Sequence, residues 1–300
     1  MSRALPRIEA PFLRDPALQA VLGAIGAGGH RALIVGGAVR NALLGAPVAD
    51  VDIATDARPD QVIALARAAG LRSVPTGIAH GTVTVISDGR GFEVTTFRRD
   101  VETDGRRAVV AFSDDLAQDA ARRDFTMNAL YAEPGGQVID PVGGLDDLRA
   151  RRLAFVGAPE ARIREDYLRI LRFFRFLAWY GRDAEPQALA ACTELRAGLT
   201  QISAERITAE LMRLLAAPDP SEALDLMAQS GVLAQVLPGA DNRAIAALVE
   251  AEQEHEAPPN EARRAERRLA ALGQGLHEAL RLPKAAQTRL AKLGKAQEAP

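Results

Sequence analysis

The sequence predicts an α+β chain, with strands confined to the first 144 residues and only helices after them. Three observations point there. The apolar run Leu33-Ile34-Val35 passes through Gly36 and Gly37 into a helical segment, 38–44, closed by Gly45. Two alternating runs, 82–86 and 92–97, flank the turn-forming residues 87–91, as a hairpin requires. From Leu145 onward there is no strand pattern.

The elements follow in order. Residues 1–31 read as a helix and a turn: Asp15-Pro16 is a helix start, and the glycines of 26–30 end the helix. The extreme N-terminus carries charges throughout and no secretory apolar core. After the 38–44 helix comes Asp50-Val51-Asp52. On a strand, residues i and i+2 point the same way, so both carboxylates stand on one face. Pro59 opens a helix over 59–69, with Gly70 as its stop. In the 92–97 strand, Glu93 shares a face with Thr95 and Phe97, and it faces either solvent or the Asp50/Asp52 pair. Residues 99–112 are mixed in charge and contain a glycine, which reads as a mobile loop. Ser113 is expected to cap a helix over 114–123, and the following Arg122-to-Leu130 string has the pattern of a surface helix.

Residues 164–176 predict one helix, with Leu168, Leu171 and Phe174 repeating every three residues and Arg169, Arg172 and Arg175 doing the same. Asp166 and Arg169 then lie on one face, where an arbitrary helix would simply pair them. Residues 186–300 are helical and alanine-rich. Glu205, Arg206 and Glu210 are expected to brace this part, and Leu224, Leu226, Met227, Val232, Leu233 and Leu237 to pack its core. The charged run 250–268 reads as solvated.

Composition narrows the function classes. A length of 300 residues suits two domains, or one domain with an elongated helical extension, and 48% hydrophobic residues are ample for a core. Its single cysteine, Cys192, excludes a disulfide framework and fits a reducing cytoplasm. No run approaches the ~20 apolar residues that span a bilayer. The net charge is only −2, yet 151–182 holds eight arginines against three acids, a basic stretch suited to a polyanion. Nothing in the sequence sets an oligomeric state.

The segment 32–56 gathers the chemistry. A strand passing through Gly36-Gly37 into a helix offers unpaired backbone N–H groups to an anion, and Arg40 in the first turn adds a charged fork. Two carboxylates held as close as Asp50 and Asp52 repel unless a cation sits between them; beside a triphosphate that cation is Mg²⁺. The G-x-G-x-x-G fingerprint and the Gly-Lys-Ser/Thr of a P-loop are both absent.

This arrangement resembles the first motif of the polymerase-β-like nucleotidyltransferases. It is closest to the class II branch, the tRNA CCA-adding enzymes and bacterial poly(A) polymerases. Three further strings resemble that branch: the strand Glu93-Val94-Thr95-Thr96-Phe97-Arg98, the signature Arg122-Arg123-Asp124-Phe125-Thr126-Met127-Asn128-Ala129, and Glu165-Asp166 followed by Arg169. The resemblance spans roughly residues 30–215. It implies a polymerase-β-like head with a mixed, largely antiparallel sheet (1–144), a helical neck carrying base recognition (145–215), and a short helical RNA-binding body (216–300).

The resemblance also implies roles. Asp50, Asp52 and Glu93 would be catalytic and hold two Mg²⁺ ions. Gly36, Gly37, Arg40 and Arg123 would hold the triphosphate, and Asp124 and Asn128 the ribose. Asp166, Arg169 and Arg172 would read the base of CTP or ATP. The partner would be a tRNA 3′ end extended by CCA. A poly(A) polymerase or an enzyme adding only part of CCA shares every motif, and a non-catalytic RNA-binding protein would use the same scaffold; against a small-molecule nucleotidyltransferase, the long basic helical half argues for a large anionic substrate. Two departures stand out: Asn41 follows the motif arginine where the family usually has Asp, and the helical body is short for the family, which bears on tRNA anchoring.

Overall fold

The computed structural model describes residues 5–104, 107–254 and 260–297. It forms two units, Met1–Ala150 with Ala154–Gly157, and Arg151–Leu153 with Ala158–Pro300. Among the described residues no helix is long and apolar enough to cross a membrane.

The first unit is built on a seven-stranded sheet. In chain order its elements are α1 (Pro16–Ala27), β1 (Ala32–Val35), α2 (Gly37–Leu44), β2 (Asp52–Thr55), α3 (Pro59–Ala68), β3 (Arg72–Gly77), β4 (Thr82–Ser87), β5 (Arg90–Thr96), β6 (Arg98–Asp104), β7 (Arg107–Phe112), α4 (Leu116–Ala121), β8 (Tyr131–Ala132), β9 (Val138–Ile139) and α5 (Gly144–Ala150). The sheet order is β3-β4-β5-β2-β1-β8-β9. Among the described residues of this sheet only the central β2–β5 pair is parallel, so the sheet is mixed and largely antiparallel. Asp15 caps α1 through a 3.0 Å bond from the Ala17 N–H, a contact that contributes about 1 kcal/mol. The β4–β5 hairpin turns on Asp88-Gly89, both with positive φ (50° and 72°), the two-residue geometry that matches strand twist.

Alternation sorts the side chains. Leu33, Val35 and Ala54 join Phe97, Leu116, Ala120, Ala129 and Tyr131 in one core cluster. Ile34, Ile53 and Val94 are fully buried on the other side of their strands.

Several expectations are corrected here. Residues 98–112 are not a loop but a ribbon, β6 paired antiparallel to β7 from Arg98↔Phe112 to Asp104↔Arg107; Gly105 and Arg106 lie outside the described residues. The ladder satisfies the backbone without the apolar alternation that would have marked the strands. Asp115, not Ser113, caps α4, and the helix stops at Ala121. The 122–130 string is not a surface helix. Phe125, Met127, Ala129 and Leu130 are fully buried, and the chain there bonds to 154–156 through Thr126 N–H to the Ala154 carbonyl and Val156 N–H to the Asp124 carbonyl.

The second unit contains β10 (Arg152–Leu153), α6 (Pro159–Glu165), α7 (Leu168–Tyr180), β11 (Asp183–Ala184), α8 (Pro186–Leu195), α9 (Ala204–Leu215), α10 (Ser221–Gln229), α11 (Val232–Val236), α12 (Ile245–Glu254), α13 (Glu261–Leu272) and α14 (Lys284–Gln297). The short parallel pair β10–β11 is strand structure that the pattern beyond Leu145 did not announce. The helix expected over 164–176 is two, broken at Asp166, whose backbone is extended (φ −157°, ψ 105°). α7 buries Leu168, Leu171, Phe173, Phe174 and Leu177, and Arg175 ties it to Glu210 of α9 at 2.7 Å.

The 250–268 run is not wholly solvated. Glu252, Glu266 and Arg268 are buried, while 255–259 lie outside the described residues. Arg268 is offset by Glu252 (2.8 Å) and by the carbonyls of Leu215, Ala217 and Pro218 at the end of α9. A guanidinium suits that place because the last helical carbonyls lack partners and carry partial negative charge.

Candidate active site

The strand register assembles the site in the first unit. Val35 pairs with Asp52 across β1–β2, and Ile53 pairs with Val94 across β2–β5. One residue before that pair, Asp52 and Glu93 stand in neighbouring rows. The glycine turn begins right after Val35. The sequence distance between Asp52 and Glu93 thus vanishes at one end of two central strands. Only Asp52 belongs to the strand; β2 starts there, and Asp50 lies in the segment before it. The expected strand placement of both carboxylates is corrected accordingly.

The acids also bear on one another electrostatically. The Asp52 carboxyl is raised above its ordinary value by burial first, then by Glu93, with Arg123 opposing and Asp50 adding to the rise. Such a set is short of positive charge. Among the described residues, no group of three or more His, Cys, Asp or Glu is arranged to hold one metal ion. The donors nevertheless fit a hard divalent cation of the Mg²⁺ type, which takes one or two carboxylates and completes its shell with water and substrate phosphate.

Beside the acids lies the turn. Gly36 has φ 67° and ψ −121° and precedes the first turn of α2, with no side chain capping it. A side chain disfavours that backbone conformation. A Cβ there would sit 3.5 Å from Nη1 of Arg123, so Arg123 reaches the turn from the 122–130 segment.

Arg123 is aimed by two residues that the sequence reading passed over. Its Nε donates to the Tyr131 hydroxyl (3.0 Å) and its Nη2 to Asp119 (3.1 Å). Asp119, 1% exposed, also accepts from the Tyr131 hydroxyl (2.7 Å) and from Arg122 (2.9 Å). Burial alone would raise the Asp119 carboxyl, but Arg123, Arg122 and Tyr131 together hold it below the usual carboxylate range. Burial pushes the Tyr131 hydroxyl up, so it stays protonated and can donate. The signal for Asp119 was present as a lone acid, buried on the face of α4 that carries Leu116 and Ala120.

Arg40 is buried, and its guanidinium donates through Nη1 to Asn128 Oδ1 (2.5 Å) and through Nε and Nη2 to Asn41 Oδ1 (3.1 and 2.9 Å). Asn128 in turn donates to Asp124 (3.0 Å). A polar chain, Asn41–Arg40–Asn128–Asp124, therefore links two motifs that are 88 residues apart at the Arg40–Asn128 bond. Asn41 also donates to the Pro47 carbonyl (2.7 Å), which ties α2 to the segment leading to Asp50. An Asp at position 41 would lack that donor.

The second unit holds the remaining candidates. Asp166 accepts from Leu168 N–H through Oδ1 (3.1 Å) and from Arg206 through Oδ2 (2.6 Å). Arg169 pairs with Glu165 (2.5 Å) and donates to the Arg162 carbonyl (2.7 Å). The side chains of Asp166 and Arg169 are thus held by separate partners, although the Arg169 N–H donates to the Asp166 carbonyl (2.9 Å). Arg172 lies 5.4 Å from the Phe176 ring centroid.

Residues 32–154 match the Poly A polymerase head domain family, and residues 183–243 match the family described as the probable RNA and SrmB-binding site of polymerase A. A CCA-adding enzyme of Geobacillus thermodenitrificans is 43% identical over 213 residues, 70% of this chain and 52% of that one. A CCA-adding enzyme of Streptococcus gordonii is 46% identical over 215 residues, 71% of this chain and 53% of that one. The chain matches about half the length of these relatives. Among solved structures, the Bacillus stearothermophilus CCA-adding enzyme in complex with CTP is similar at TM-score 0.69 and 28% identity, covering 97% of this chain and 82% of that one. The acids at the strand ends, the glycine turn and its arginine thus occur together with both family matches: the chain carries the head domain and the RNA-binding domain of the poly(A) polymerase family and is similar along them to CCA-adding enzymes.

Proposed function

We propose that the chain is a template-independent nucleotidyltransferase that adds CCA to tRNA 3′ ends from CTP and ATP. The observation that carries this reading is the convergence of Asp50, Asp52 and Glu93 beside the Gly36 turn and Arg123. A binding module has no need for mutually repelling acids next to an anion cradle. We assign catalysis to a head of residues 1–144, base reading to a neck of 145–215, and RNA contact to a body of 216–300. With one cysteine, buried and unpaired in a disulfide, we place the protein in the cytoplasm.

In the proposed reaction the RNA 3′ oxygen bonds to the α-phosphorus of the nucleotide. The bond to the bridging oxygen breaks, and pyrophosphate leaves with the electron pair. Asp50 and Asp52 would hold Mg²⁺, two ions in this reading, which when bound supply charge neutralisation at the phosphates and acidify the attacking hydroxyl. Glu93 receives the hydroxyl proton and passes it to water. The Gly36-Gly37 turn, together with Arg40 and Arg123, binds the triphosphate, and Arg40 also holds Asn128 and, through it, Asp124 for the ribose.

Asp166 and Arg169, with Arg172 beside them, read the base. Cytosine and adenine each offer an amino donor next to a ring-nitrogen acceptor, matching a carboxylate and a guanidinium. Uracil and guanine present the reverse, and each unpaired polar group in a closed site costs ~1–3 kcal/mol. Arg206 holds the Asp166 carboxylate in place through its 2.6 Å bond.

The test uses tRNA transcripts ending before CCA, after C and after CC, each with Mg²⁺ and one labelled nucleotide at a time. Two C additions followed by one A, absent from an Asp50→Ala/Asp52→Ala variant, is the expected result. Long A tails without C would make the chain a poly(A) polymerase, the reading that the name of its matched head family favours. A alone on the CC end would make it a partial enzyme.

A further inference from the structure

The three acids border a second space. A cavity of about 930 Å³ is lined by Asp50, Asp52 and Glu93 and, beyond them, by Phe12, Asp15 and Arg90. Its volume falls in the ~300–1,000 Å³ range of small-ligand sites. Gly36, Gly37, Arg40 and Arg123 are not among its lining residues. The cavity therefore shares the acids with the triphosphate cradle but none of the cradle itself.

Arg90 is built into this wall. Its Nη2 donates to Asp15 Oδ1 at 2.6 Å, and its guanidinium lies 5.7 Å from the Phe92 ring centroid. Asp15 is fixed in turn as the cap of α1. The side chain is still 54% exposed, and a guanidinium has donors on Nε and Nη1 besides the nitrogen that Asp15 engages. An arginine anchored at one nitrogen and open to solvent, next to an aromatic ring, suits the phosphate and base of a nucleic-acid strand.

Transfer chemistry then selects the occupant. The attacking and leaving oxygens lie roughly in line across the phosphorus. If the pyrophosphate departs toward the Gly36 turn, the attacking hydroxyl approaches from elsewhere around the acids, and this cavity borders all three of them. We propose that it receives the 3′-terminal nucleotide of the RNA being extended, with Arg90 on the phosphate joining it to the preceding nucleotide and Phe12 against its base. The inference rests on reading the site as a nucleotidyltransferase.

The experiment is steady-state extension of a tRNA transcript by the full chain, varying RNA and nucleotide separately. Arg90→Ala should raise KM for RNA about tenfold and leave KM for the nucleotide within about twofold. Arg90→Lys should recover part of the loss, and thermal unfolding of each variant reports on the Asp15 contact. A transcript with a neutral methylphosphonate at its last internucleotide linkage should lose about tenfold with the parent and nothing further with Arg90→Ala. An unchanged RNA KM, or a rise in nucleotide KM instead, overturns the proposal while the parent's activity stands. A parent that extends no RNA overturns the reading of the site and this proposal with it.

Discussion

Asp119→Asn tests whether the buried network beneath the site positions Arg123. Asp119 serves two arginines whose side chains are only 15% and 19% exposed, and it also receives the Tyr131 hydroxyl. The amide keeps the shape and one acceptor oxygen but removes the charge, leaving Arg122 and Arg123 without their shared anion. Breaking a buried pair from one side costs about 3–5 kcal/mol. The retained acceptor argues for the lower end, about 3 kcal/mol. For a unit of this size each kcal/mol moves the midpoint by about 2–4 °C, so thermal unfolding should fall by roughly 6–12 °C. Because the Arg123 fork is no longer aimed, KM for the nucleotide should also rise, by about tenfold, while KM for RNA changes little. Circular dichroism melts and nucleotide titrations read the two effects. A midpoint within about 2 °C of the parent's, together with an unchanged nucleotide KM, would refute the reasoning.

Three further outcomes are expected. Acid should unfold the parent more steeply than Asp119→Asn: the folded carboxyl sits below its ordinary value of 3.8, so its stabilisation is present above that value and is lost as pH falls through the folded one; parallel acid-unfolding curves would contradict this. Gly36→Ala should destabilise by about 1–3 kcal/mol through backbone strain, since the added Cβ meets nothing nearer than 3.5 Å, and should weaken triphosphate binding; calorimetry and nucleotide titration check both. Arg206→Ala should relax the choice of CTP and ATP over UTP and GTP nearly as far as Asp166→Ala does, because it frees the Asp166 carboxylate; single-nucleotide incorporation that discriminates as well as the parent would sink that role.

How much was legible follows from which interactions are local. The β1–Gly36–α2 turn, the Asp15 cap and the β4–β5 hairpin are each settled by neighbours within a few residues, and the structure holds them as the sequence reads. The β6–β7 ribbon was not legible, since its ladder is backbone-made and its sequence lacks apolar alternation. The break at Asp166 was hidden because the leucine and arginine periods run toward it without interruption, while the side chain's partner, Arg206, lies 40 residues away. The burial of Glu252 and Arg268 was likewise invisible: a charged pair looks solvated until the carbonyls ending another helix come to meet it.

The sequence by itself determined the chemistry on offer: three acids, a glycine turn into a helix, a set of arginines, and the α+β order, because residue types and short spacings carry those. Only the tertiary structure decided how they are used. Strand register placed Glu93 beside Asp52, and burial gave Arg123 to Asp119 and Tyr131 and Arg40 to Asn41 and Asn128. A charge withdrawn from water must find a partner in space, and no spacing along the chain names that partner in advance.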